Sequence, residues 1–144
     1  MDGERLQFPD NSFDMVYLHG VLQYTANAVQ MLNEAKRVLR PGGHAVLMVY
    51  NRISWLNLLR QLTNVALEHE DAPVIRKYSI GELKKMIRIF PRVRLVVERF
   101  PVKTGLHKGA KALVYNGLFV GTFNTLPKFL VRRFGWHIMA FAEK

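Results

Sequence analysis

Histidine and tyrosine side chains at the ends of apolar runs are the residues of this sequence that could take part in chemistry. His19 follows the apolar run at residues 13–18 and precedes Gly20. An imidazole titrates near neutrality, so His19 is a candidate catalytic base; the alternative is a residue that lines a ligand without moving a proton. Tyr24, Tyr50 and Tyr78 could shape a pocket, or pack half-buried with bonded hydroxyls.

Several kinds of site are excluded by composition. The 144 residues contain no cysteine, which rules out disulfides and thiolate metal sites and fits a reducing, cytoplasmic location. The five histidines are scattered and none has the spacing of H-E-x-x-H, so no metal site is predicted. The apolar stretch at residues 112–126 is too short to cross a bilayer and is expected to be buried or interfacial.

Charge is distributed unevenly along the chain. Residues 1–72 carry 6 Lys and Arg against 8 Asp and Glu, a net of −2, whereas residues 73–144 carry 15 against 3, a net of +12. Such asymmetry suggests an anionic partner for the second half, either nucleic acid or a membrane surface. A solvated basic face is the alternative.

The first third of the chain has the pattern of a βαβ unit. Residues 13–18 predict a buried strand, the spacing of Ala28, Leu32, Ala35 and Leu39 predicts a helix capped by Asn27 or Thr25, and residues 45–49 predict a second buried strand. The sequence RPGG at residues 40–43 predicts the turn between helix and strand. Two strands joined in this way should be parallel, with a right-handed crossover.

The rest of the chain continues the α/β pattern. Ser54 should cap a helix whose apolar face either covers a substrate or packs in the core, and SIGE at residues 79–82 predicts a capping box. Residues 93–100 and 136–142 predict strands, with a short helix at residues 126–134 ended by Gly135. Ligands of open α/β sheets bind beyond the carboxyl ends of the strands, which is where the chain breaks at His19-Gly20.

Three segments, read in order, resemble class I S-adenosylmethionine-dependent methyltransferases of the type 11 group. They are DGERLQFPDNSFD at residues 2–14, VYLHGVL at residues 16–22 and RVLRPGG at residues 37–43. The resemblance implies that Asp2 and Gly3 contact the adenine of S-adenosylmethionine, and that Leu18, His19, Gly20 and Leu22 lie along its methionine part. It also implies that Leu22 and Tyr24 lie near the reacting methyl group, and the pocket that Tyr24, Tyr50 and Tyr78 could shape would then be the one for the methyl acceptor.

The resemblance also implies a partial domain. The family's glycine-rich G-x-G-x-G loop should lie upstream of Asp2, and no G-x-G occurs in these residues. We therefore expect one truncated domain over residues 1–144. Residues 1–51 would be the C-terminal part of the cofactor-binding core, and residues 52–144 the acceptor-side helices and final strands. The fold class is α/β, with family strands 4-5-7-6, the last antiparallel and the first an exposed edge, flanked by helices.

These observations lead to two functional hypotheses. The first is a methyltransferase for a small acceptor, hydrophobic or quinone-like, that is inactive as this fragment and binds the cofactor weakly on its own. The second is a non-catalytic basic module that binds nucleic acid or an anionic membrane. Nucleic acid is the less favoured partner because no aromatic stacking platform is evident. Basic residues mixed with apolar ones in residues 108–133 suit peripheral membrane contact, or an ordinary cover on the sheet.

Overall fold

A four-stranded sheet with helices organises the chain. The computed structural model describes residues 2–63, 76–101, 103 and 109–144. The strands are β1 (Phe13–His19), β2 (Leu39–Tyr50), β3 (Arg92–Glu98) and β4 (His137–Glu143). The helices are α1 (Ala28–Val38), α2 (Trp55–Thr63), α3 (Ile80–Met86), α4 (Gly109–Ala112), α5 (Val120–Thr125) and α6 (Lys128–Val131). A π-helical segment, Leu113–Phe119, joins α4 to α5.

The strands are arranged in the order β1-β2-β4-β3. β1 and β2 are parallel, and β4 runs antiparallel to both of its neighbours, β2 and β3. This is the predicted order 4-5-7-6 with the last strand antiparallel, and it confirms the α/β fold class. Among the described strands β1 pairs on one side only, so it forms an edge of the sheet as predicted.

Local signals in the sequence account for where the helices begin. The Asn27 side chain accepts a hydrogen bond from the Gln30 amide at 3.0 Å, which caps α1. Ser79 and Glu82 form a complete capping box at the start of α3. Ser54 Oγ accepts from the Asn57 amide at 3.3 Å at the start of α2. All three caps are among those predicted.

The two faces of the sheet are covered differently. α1 and α3 lie over one face, which we call the covered face, and its core is formed by the inward side chains of all four strands and both helices. These include Leu32, Leu47, Val49, Leu83, Ile87, Ile138 and Ala140. On the opposite face, which we call the open face, a smaller cluster of Met48, Tyr50 and Trp136 lies near the carboxyl end of β2.

Two details differ from expectation. β2 begins at Leu39, directly after α1, so the turn predicted at residues 40–43 lies within the strand. It forms a bulge there: Phe13 pairs with Leu39 and Met15 with His44, so β2 advances five residues while β1 advances two. Gly135 ends the turn after α6, but its φ of −56° is not left-handed. The glycine is needed because a Cβ there would lie 2.5 Å from the Glu98 carbonyl oxygen.

Candidate cofactor and acceptor site

The carboxyl end of β1 leads into a tight turn at Gly20. This residue has a φ of +70°, a conformation that costs an L-residue about 1–2 kcal/mol, and its amide donates to the Met48 carbonyl at 3.1 Å. The turn is followed by a 3-10 turn over Leu22–Tyr24 and then by the start of α1. The backbone break seen in the sequence is therefore the sharp exit from a parallel strand.

The segment at Asp2 and Gly3 is tied to the connection between β1 and α1. The Glu4 carboxylate accepts from the Thr25 hydroxyl and from the Asn27 amide, the latter at 2.9 Å. These hydrogen bonds, the one from Thr25 first, hold the pKa of Glu4 below its usual value. Gly3 packs against Met31 of α1. The predicted adenine-contacting pair thus adjoins the connection that begins at Gly20.

Gln23 is the unexpected group in this connection. Its side chain is fully buried, and neither its amide nitrogen nor its carbonyl oxygen has a hydrogen-bond partner among the described residues. A buried amide without partners costs about 1–3 kcal/mol per group. Its Nε2 lies 3.5 Å from the position of a Cβ on Gly20, so this polar group adjoins the turn. Sequence analysis did not single out Gln23, because burial cannot be read from an isolated glutamine.

A cluster of aromatic and imidazole rings lies at the carboxyl end of the open face. The His19 ring stacks on Tyr17 at 5.5 Å between centroids and meets the His137 ring edge-to-face at 6.3 Å. His137 lies 5.6 Å from Tyr50, which stacks on Trp136 at 4.7 Å. Two imidazoles from β1 and β4 are therefore brought together, although they are 118 positions apart in the sequence.

The two imidazoles have different surroundings. Nη1 of Arg99 lies 3.4 Å from Nε2 of His137, so the guanidinium is close enough to donate to this ring. The His19 side chain is exposed. Of the two, the His19 ring is the more open to solvent, and the partly buried His137 ring lies beside it.

The structure separates the other predicted site residues into two groups. Tyr24 is exposed near the turn, and Leu18 is partly buried on the covered face. Leu22 is fully buried, and Tyr78 donates its hydroxyl to the Leu22 carbonyl at 3.1 Å. Burial raises the pKa of Tyr78. Leu22 and Tyr78 thus lie inside the core, where neither side chain lines an opening; Tyr50 is nearly buried in the ring cluster.

Asn51 fixes the end of β2 against the turn before β4. Its Nδ2 donates to the carbonyls of Arg133 and Gly135 at 2.8 and 2.9 Å, and its Oδ1 accepts from the Ile53 amide at 3.0 Å. The side chain is 1% exposed. Asn51 therefore holds Trp136 and His137 beside the tip of β2. Local sequence patterns could not predict these contacts, since the partner turn is more than eighty residues away.

Metal-binding chemistry has no counterpart in the described part of the chain. No group of three His, Cys, Asp or Glu residues there is arranged to hold a metal ion. The groups that the ring cluster and the turn at Gly20 do provide are imidazoles, aromatic rings and amides.

Known proteins share parts of this sequence. Residues 1–47 match the family model described as a methyltransferase domain. An uncharacterized protein of Methanocaldococcus jannaschii is 41% identical over 117 residues, which are 74% of this chain and 57% of that protein. A ubiquinone/menaquinone biosynthesis C-methyltransferase of Hahella chejuensis is 41% identical over 51 residues, 35% of this chain and 20% of that enzyme.

Solved structures share the fold over nearly the whole chain. A Thermotoga maritima SAM-dependent methyltransferase, described as a possible histamine N-methyltransferase, aligns with a TM-score of 0.65 at 18% identity. The alignment covers 99% of this chain and 61% of that one, so the chain spans less than two thirds of the relatives it matches. The family model over residues 1–47, the strand order and the shared fold agree, and together they support the class I S-adenosylmethionine-dependent methyltransferases as the family of this chain.

Proposed function

We propose that this chain forms the acceptor-side part of a methyltransferase that acts on a small, apolar, quinone-like molecule. The observation that carries the proposal is the proximity of the Gly20 turn, the buried Gln23 amide and the ring cluster at the carboxyl end of two parallel strands. In open α/β sheets this end is where ligands bind. The partial match to quinone C-methyltransferases supports the acceptor class.

Two features of the described residues fit S-adenosylmethionine. The unpartnered amide of Gln23 offers both a donor and an acceptor next to the turn, as a ligand with amino and carboxylate groups requires. Asp2 accepts one bond from the Glu4 amide at 2.9 Å and is exposed, so its carboxylate can take a further donor such as an adenine amino group. Asp2, Gly3, Gly20 and Gln23 are the residues that would hold the cofactor.

The chemistry divides between cofactor and protein. S-adenosylmethionine supplies an activated methyl group on its sulfonium sulfur. The chain's contribution is orientation: the exposed, stacked rings of Tyr17 and His19 offer a flat surface for a planar acceptor, and His19 can take the proton of an acceptor hydroxyl there. The buried Tyr50–Trp136 pair lies behind these rings, and Asn51 keeps it in position.

The cofactor part of the proposal is tested by amide chemical shifts of the ¹⁵N-labelled chain on titration with S-adenosylhomocysteine. Shifts should concentrate at Gly3, His19 and Gly20, with millimolar affinity as expected for a partial site. Gly20→Ala should weaken binding several-fold because Ala is strained at that φ. Gly121→Ala, in open space on α5, is the matched control and should leave affinity unchanged. Shifts confined to other surfaces, or equal affinity in both variants, would contradict the proposal.

The acceptor part is tested separately with a short-chain naphthoquinol and with histamine, each added under anaerobic conditions. The naphthoquinol should shift the Tyr17, His19 and His137 signals, since a planar apolar ring can lie on the exposed Tyr17–His19 stack. Histamine should not. The reverse result would reject the quinone-like acceptor while leaving the cofactor assignment intact.

The second hypothesis, a non-catalytic basic module, is not favoured by these findings. The methyltransferase family match and the strand order account for the first half of the chain without it. The basic residues of the second half still need an explanation.

A further inference from the structure

Helix α6 and the turn after it present large apolar side chains to solvent. Phe129 is 74% exposed and Leu130 48%, and Leu126 and Phe134 beside them are also exposed. Val131, by contrast, is buried and anchors the helix to the protein. Monomeric proteins seldom group four such side chains on one short segment unless they meet another apolar medium. We call this segment, residues 126–134, the α6 surface.

Three exposed cations lie on the same surface. They are Lys128, Arg132 and Arg133, and none has an ion-pair partner among the described residues. Between Glu98 and Glu143 the sequence contains seven lysines and arginines and no acidic residue. The positive charge around the α6 surface is therefore not neutralised within this stretch, and the surface is complementary to an anionic partner.

An apolar groove of about 400 Å³ adjoins the α6 surface. Val96, Phe123 and Leu126 contribute to its walls. Two cations, Lys128 and Arg132, and one carboxylate, Glu98, also line it, which leaves the lining with a net positive charge. The groove thus places apolar walls next to cations, which is the arrangement needed by a molecule with an apolar chain and an anionic head. The α6 surface itself has the same combination of apolar side chains and cations.

We propose that the α6 surface docks on an anionic lipid bilayer. Lysine and arginine contact the headgroups, while Phe129 and Leu130 enter the boundary between headgroups and acyl chains. A nucleic acid would satisfy the cations but would leave these apolar side chains in water. A second copy of the chain would bring like charges together. No helix in the described residues has the length and apolarity to cross a bilayer, so the contact is peripheral. The proposal does not depend on the methyl acceptor.

Sedimentation of the 144-residue chain with lipid vesicles tests the proposal. Binding should be strong with phosphatidylcholine–phosphatidylglycerol vesicles, weak with phosphatidylcholine alone, and reduced by salt. Phe129→Ser with Leu130→Ser should weaken partitioning about tenfold or more, since two large apolar side chains are lost. Each of Lys128→Gln, Arg132→Gln and Arg133→Gln should weaken it about fivefold.

Matched controls distinguish binding through the α6 surface from nonspecific binding of the chain to vesicles. Val29→Ser removes another half-exposed apolar side chain, on α1, and Lys84→Gln with Lys85→Gln removes two cations from α3; these variants should bind as the parent does. Arg132 and Arg133 lie in the exposed 3-10 turn after α6, the other substituted residues lie on α-helices, and circular dichroism reports whether each variant is folded. The proposal is overturned if the controls lose as much binding as the α6 variants, if vesicle charge has no effect, or if RNA or DNA displaces the vesicles and binds independently of Phe129. Self-association that depends on Phe129 in the absence of lipid would overturn it as well.

Discussion

The covered and open faces of the sheet are built from alternate residues of the same strands, yet different forces order them. On the covered face, Leu47 and Ile138 are fully buried under α1 and α3. On the open face, Met15 and Tyr17 are about 60% exposed, and order is concentrated at the carboxyl end, in ring stacking and the hydrogen bonds of Asn51. Apolar burial thus stabilises the covered face, whereas ring stacking and the hydrogen bonds of Asn51 position the candidate site on the open face.

Truncating one side chain on each face tests whether the two faces contribute differently to the free energy of unfolding. Leu47→Ala should lower the free energy of unfolding by about 2–5 kcal/mol, because it leaves a cavity in the covered core. Phe141→Ala, on a neighbouring strand but the open face, should cost about 1 kcal/mol or less because Phe141 is 36% exposed. Urea unfolding followed by circular dichroism measures both. Equal losses would show that the faces are not energetically distinct.

The polar contribution to the open face is tested at Asn51. Asn51→Ala leaves the carbonyls of Arg133 and Gly135 and the amide of Ile53 without their partner, and should cost about 2–3 kcal/mol. Asn124→Ala, at an exposed position, should change stability by less than about 0.5 kcal/mol. Hydrogen exchange should also accelerate at Ile53 in the first variant alone. Unchanged exchange there would mean that the turn is held by other contacts.

The smallest effect is expected at Glu34 of α1, whose side chain is 12% exposed and accepts a hydrogen bond from the Leu6 amide. Hydrogen bonds from Arg37 first, and then from the Leu6 amide, hold the pKa of Glu34 below its ordinary value of 4.5. Because the folded-state pKa is depressed, the stabilisation is present above pH 4.5 and disappears as the pH falls through the folded-state value. Glu34→Gln should therefore be less stable than the parent at pH 7, with the difference shrinking in acid.

Unfolding midpoints in urea at pH 7 and pH 3 measure this prediction. Asp14→Asn is the comparison variant, because the Asp14–Arg40 ion pair joins an 82% exposed side chain to a 51% exposed one, and such pairs contribute little. A Glu34→Gln difference that persists unchanged at pH 3 would assign the effect to packing rather than to charge.

Sequence patterns predicted the covered face far better than the candidate site. The helical spacing around Leu32, the caps at Asn27 and Ser79, and the continuous apolar run of β2 are local signals, and the structure confirms them. The partnership of His19 with His137, the Asn51 contacts and the orphaned amide of Gln23 depend on residues distant in the chain or on burial. Long-range partnership and burial cannot be predicted from residue spacing. Only the family resemblance indicated that a site lies near His19 and Gly20.

The position of β4 in the sheet bears on how the chain is made. β4 follows β3 in the chain, yet it lies between β2 and β3, so among the described strands β3 has no partner until residues 137–143 have left the ribosome. In a nascent chain halted before that point, β1 and β2 could pair, but β3 would stay unpaired with its apolar residues exposed. We therefore expect this part of the sheet to close only after residues 137–143 have emerged, and chaperones to meet the chain with β3 unpaired.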